Sequence, residues 1–100
     1  MIAKLLTLSR ILRESVPFDV ALSDDECERS DAALSLTHLA DALSAAGCAR
    51  SAAYATLDFA LDAGVSAARA ECARTTAALA LARSRADNGL RAAAQLLVAA

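Results

Sequence analysis

Gly47 to Gly64 reads G-C-A-R-S-A-A-Y-A-T-L-D-F-A-L-D-A-G, and the fold expected of this chain follows from how that stretch is read. At helical spacing Ala53, Leu57, Ala60 and Leu61 form one apolar face, and Ala52, Ala55, Phe59 and Ala63 form another. Ser51, Asp58 and Asp62 make the one coherent polar strip. A helix apolar on nearly all sides is normally enclosed by other helices. Tyr54 and Phe59 are two of the three aromatics in the chain. Glycine is favoured just past a helix end, where a left-handed backbone costs it nothing. The spacing therefore predicts a central helix, bracketed by Gly47 and Gly64 and wrapped by its neighbours in a small all-α protein.

One hundred residues suit a single helical domain over residues 1–100. Apolar residues make up 57% of the chain and charged residues 22%, enough to bury a core. About half of that apolar content is alanine, which removes little surface from water. The core therefore depends on leucines and close helix approach, so stability alone should be modest and a partner could add to it. Net charge is −2 but unevenly spread. Residues 1–16 carry +2, residues 17–64 carry −7 and residues 65–100 carry +3. Basic ends around an acidic middle favour antiparallel neighbours of opposite sign and argue against a nucleic-acid face. Cys27, Cys48 and Cys72 are odd in number and form no C-x-x-C, so small buried hydrophobes in a reducing cytoplasm are expected rather than a disulfide or metal framework. No run approaches the roughly 18 apolar residues of a membrane span, so no stable membrane insertion is expected. Ser9, Arg10 and Arg13 interrupt any secretory pattern.

Residues 2–15 are predicted as an amphipathic helix with Ile2, Leu5, Leu8, Leu12 and Val16 along one stripe, ended before Pro17. A basic, acid-poor N-terminal helix could also lie on a membrane surface or serve as an organellar presequence, but docking on a bundle explains the same periodicity. Phe18 to Leu22 reads as a connector, and Ser23-Asp24-Asp25-Glu26 as a capping box with acids at the positive end of the next helix. That helix is expected to run to Ala46 with Ala32, Leu36, Leu39, Ala40 and Leu43 inward. After Gly64 a helix over 65–86 with Ser66 as cap, a turn at Asp87-Asn88-Gly89, and a last helix from Leu90 to Val98 complete about five helices in antiparallel hairpins. In segments, these are an N-terminal helix over 1–17, a central hairpin over 23–64 and C-terminal helices over 65–100.

The second side of the 23–46 helix carries Leu34, His38, Asp41 and Ala45 with Cys27, more surface than one core needs. His38 and Asp41 are half of a metal site at most, and no further His exists to complete one, so neither metal nor cofactor is expected. Arg69, Thr76 and Arg83 recur at heptad spacing, which usually marks a solvated face.

Gly47 and Gly64 are seventeen residues apart, half of the roughly 34-residue tetratricopeptide period. Leu39 to Gly47 (L-A-D-A-L-S-A-A-G), Gly64, and Leu79 to Leu90 (L-A-L-A-R-S-R-A-D-N-G-L) together resemble the TPR-type needle chaperone subunit of bacterial type III secretion systems, over residues 34–97. The chain departs from that family between Gly64 and Gly89, where the Pro- and Trp-bearing loop is missing. The resemblance implies a TPR-like fold whose groove holds the apolar helix of a polymerising needle subunit, with a small helical co-chaperone beside it. On it, the partner-binding positions are Leu34, Thr37, His38, Asp41 and Ala45, then Thr76, Leu79 and Arg83.

An enzyme is the least supported class. One histidine, scattered serines and no phosphate-binding loop supply no converging base, nucleophile or metal. Asp24, Asp25 and Glu26 are already explained by capping. The remaining alternative to a client-binding module is a structural bundle that self-associates without a client.

Overall fold

The computed structural model describes residues 1–17 and 22–99. Among them are three α-helices and no strand: α1 (Ile2–Glu14), α2 (Asp24–Asp58) and α3 (Val65–Ala99). α2 and α3 are each 35 residues long, about 52 Å at 1.5 Å per residue, and they lie antiparallel as one hairpin. The molecule is correspondingly rod-shaped, 62 × 22 × 18 Å.

The pairing of the long helices follows from an apolar stripe that recurs every three and four residues in turn. On α3 the buried positions are Ala68, Cys72, Thr75, Leu79, Ala86 and Ala93, with Ala82 half-buried between. On α2 they are Ala33, Leu36, Ala40, Leu43 and Ala53, with Arg50 and Leu57 half-buried in step. A mean period of 3.5 keeps two helices facing each other over many turns, where the period of 3.6 would drift around the helix. Half of these stripe residues are alanine, so the backbones can approach closely. Leu5, Leu12 and Leu36 are the largest fully enclosed side chains.

α1 lies against the hairpin's open end, chiefly on α2. Leu5 and Leu12 point into the core, and Ser9 between them is buried as well. The Ser9 hydroxyl donates to the Ala33 carbonyl at 2.6 Å and lies 3.1 Å from the Thr37 hydroxyl. A buried hydroxyl is tolerable only with such partners. At its other end α1 closes as expected before Pro17, with the Ser15 hydroxyl on the Leu12 carbonyl at 2.7 Å. The capping box at the start of α2 is also present. The Ser23 hydroxyl accepts from the Glu26 amide at 3.3 Å, and the Glu26 carboxylate accepts from the Ser23 amide at 3.2 Å.

Three helices replace the five expected, because neither internal glycine ends its helix. α2 continues through Gly47 to Asp58, and α3 continues through Asp87, Asn88 and Gly89. A mid-helix glycine costs only about 1 kcal/mol, and the unbroken stripe on both sides of each outweighs that. Gly89 has a packing role instead, since a β-carbon there would run into the Leu39 side chain. The hairpin turn falls at residues 59–64, where the Gly64 amide donates to the Leu61 carbonyl at 2.7 Å.

The enclosed central helix is likewise overturned. Tyr54 is 41% exposed, Leu61 83% and Phe59 87%, while Leu57 is half-buried. This segment forms the end of a two-helix arm that projects beyond α1, so one neighbour covers it instead of several. Its all-round apolar character is mostly alanine on a solvated surface. Cys72 is buried, but Cys27 and Cys48 are exposed, against the expectation for all three. The connector expected at Phe18 to Leu22 lies outside the described residues, Leu22 excepted.

Candidate helix-docking groove

α1 fills the groove between α2 and α3 only over the open end of the hairpin. Beyond its first residue the groove continues toward the tip, walled by Ser44, Gly47 and Ser51 of α2 and by Leu79 and Arg83 of α3, with Met1 at the closed end. Two features leave the floor of the groove open. Gly47 presents no side chain, and nothing lies within 4 Å of where its β-carbon would be. Leu79 is turned down into the core, leaving small polar groups at the rim.

Further along, α2 and α3 are tied at the level of Arg50. Its Nε donates to the Thr76 hydroxyl at 3.2 Å, and its guanidinium carbon stands 4.7 Å from the centre of the Tyr54 ring. A guanidinium over an aromatic face is attracted by the ring's negative π cloud. The pair orients Tyr54 on the arm, at helical spacing from Gly47 and Ser51.

The residues expected to bind a partner divide among three environments. Leu34, His38, Asp41 and Ala45 are exposed on the outer back of α2, in a continuous stripe with Leu34 at 53% exposure. Thr37 faces α1 and is occupied, bonded to the Ala33 carbonyl of its own helix at 3.2 Å and adjoining Ser9. On α3, Leu79 and Arg83 wall the groove and Thr76 holds Arg50 beside it. The α2 stripe and the α3 set therefore do not meet in one concave site. The groove brings together residues that periodicity alone did not select, Gly47 and Ser51 foremost. The signal at Gly47 is a small residue on the core side of a long helix, which reads equally well as a helix end, whereas exposed Ser51 reads as part of a polar strip with Asp58 and Asp62.

Glu71 and Arg74 form a surface pair one turn apart, with the Arg74 Nε donating to the Glu71 carboxylate at 2.9 Å. That hydrogen bond, with a smaller Coulomb contribution, holds the Glu71 carboxyl below its usual range and raises Arg74 in turn. Arg83 has no ion pair among the described residues. Among those residues no three His, Cys, Asp or Glu side chains come together as metal ligands, and no helix is long and apolar enough to cross a membrane. No protein-family model, curated protein or solved structure matches this chain.

Proposed function

We propose that this protein is a non-enzymatic helical interaction module that binds an amphipathic helix of a protein partner in the groove beyond α1. The observation that carries the reading is continuity. The channel that seats α1 runs on past Met1, toward the hairpin tip, with open space over Gly47. α1 itself is the template for what such a channel accepts: leucines inward at Leu5 and Leu12, with a small hydroxyl residue at Ser9 where the helices approach. Helix-in-groove recognition works through anchors of that spacing. A helix laid end to end with α1 would have room for about three turns along residues 47–58 of α2, at 5.4 Å per turn.

The family resemblance makes a self-polymerising secretion-needle subunit the first client to test. Covering the helix by which such a subunit self-assembles would keep it monomeric in the cytoplasm without any chemistry. The stripe at Leu34, His38, Asp41 and Ala45 is then the surface available to a co-chaperone.

Gly47→Leu is the test. The new side chain enters open space, so the fold is kept while the groove is filled. Co-expression with a needle-type subunit should give a soluble complex with the native chain, and at least tenfold weaker binding with Gly47→Leu and with Arg83→Glu. Equal binding by both variants would remove the groove from consideration, and failure of the native chain to hold the subunit would remove that client.

A further inference from the structure

The face of the hairpin opposite α1 carries a second surface that the groove reading does not use. At its tip a shallow apolar channel runs between the last turns of α2 and the first turns of α3, bounded by Ala55, Ala60, Ala67 and Ala68, with the Phe59 ring standing beside it. Phe59 is 87% exposed, more than almost any other large apolar residue described. An exposed ring next to an unfilled apolar channel on one surface is a knob and a hole. A two-fold axis relates knob to hole and hole to knob, so one surface completes itself with its own copy.

We propose that two copies of this chain pair through this face into a four-helix bundle, with both tips at the same end and each Phe59 seated in the tip channel of the other. Charge selects that arrangement. Over its described length α2 carries seven acids against Arg29 and Arg50, whereas α3 carries five arginines against Glu71 and Asp87. A two-fold axis parallel to the long helices lays α2 of one copy on α3 of the other, opposite in sign and in direction. An axis across them lays α2 on α2, acid against acid, and sets the tips at opposite ends of the rod. Only the parallel axis places Phe59, at the end of α2, over Ala67 and Ala68 at the start of α3 in the second copy.

The area is sufficient. A hairpin face about 52 Å long and about two helix widths across, near 10 Å each, offers roughly 1,000 Å² per copy, against about 800 Å² per partner in a stable interface. α1 occupies the other face, and no other described element covers this side along its length. Leu81 is half-exposed further from the tip, and the Glu71–Arg74 pair sits at the channel's edge, where charged groups belong in an interface. The pairing is independent of the client groove, which lies across the hairpin.

Sedimentation equilibrium on the full chain should show a concentration-dependent species of twice the 10.2 kDa chain mass. Phe59→Ser should weaken it on the order of tenfold or more, with helicity unchanged because the ring contributes little to the isolated chain. Spin labels on Asp62→Cys, with Cys27 and Cys48 changed to Ser, then report the orientation. A short separation between the two labels is expected, and a separation near the 62 Å length of the rod would overturn the charge argument. A chain that stays monomeric at all concentrations, or a dimer indifferent to Phe59→Ser, would overturn the pairing itself.

Discussion

Changing Gly47 and Gly89 to alanine, one at a time, should shift stability in different directions, although both sit in the middle of a long helix. The gain common to both is the helix propensity of alanine over glycine, about 0.8–1.0 kcal/mol in a helix interior. At Gly47 nothing offsets it, because the added β-carbon has no neighbour within 4 Å. At Gly89 the same β-carbon overlaps the end of the Leu39 side chain and touches Leu36 at 3.7 Å. Leu39 must leave its rotamer, and overpacking of that kind costs about 1–3 kcal/mol. Gly47→Ala should thus stabilise by about 1 kcal/mol, about 4–8 °C in Tm for a chain of this size, while Gly89→Ala should range from neutral to about 2 kcal/mol destabilising. Urea unfolding followed by circular dichroism measures both, with the urea dependence checked for constancy. Loss of more than about 0.5 kcal/mol at Gly47 would mean that α2 does not run through that residue and that the five-helix layout was right after all. Equal stabilisation at the two sites would mean that the helices do not approach closely at Gly89.

Leu36→Ala, at one of the largest fully buried side chains, should cost about 2–5 kcal/mol in the same assay, and a cost under about 0.5 kcal/mol would take Leu36 out of the core. Ser9→Ala should cost about 1 kcal/mol, since it removes a 2.6 Å hydrogen bond while Thr37 keeps its own bond to Ala33; a gain in stability would show that the hydroxyl is a burden to the α1 interface. Glu71 should titrate below an ordinary glutamate by carboxyl NMR, and Arg74→Gln should move its midpoint back up. Because the folded value is depressed, the small stabilisation from that pair is present above the ordinary glutamate range and disappears as pH falls through the folded midpoint. An unmoved midpoint in Arg74→Gln would dissociate the shift from this pair.

The all-helical class, the extent of α1 and the capping box at Ser23 are legible, because each depends on neighbours within one or two turns; the start of α3 is legible only in place, since Ser66, expected as its cap, lies inside the helix and the Gly64 carbonyl accepts the first helical bond, from the Ala68 amide at 3.0 Å. Pro17 closes its helix wherever it is placed, and Ser23 with Glu26 satisfies amides three residues apart in any fold. What local reading could not decide was whether Gly47 and Gly89 end helices or sit inside them. Each glycine costs about as much as one good packing contact gains, so the outcome depends on the facing helix. Here the 3.5-residue stripe continues on both sides of each glycine, and the partner's stripe matches it for 35 residues. The candidate site divides in the same way. Leu79 and Arg83 enter through the family resemblance, while the heptad spacing of Arg83 by itself reads as a solvated face; the residues they face across the groove, Gly47 and Ser51, lie in a part of α2 that local spacing reads as a turn and a separate helix. The exposure of Phe59 and Leu61 was also beyond reach, since an apolar residue in a helix pattern gives no sign of how many neighbours will cover it. Sequence fixes which residues can form a helix and where the chain must stop; only the distance between two helices, set by all their side chains at once, decides which glycine is a gap and which is a contact.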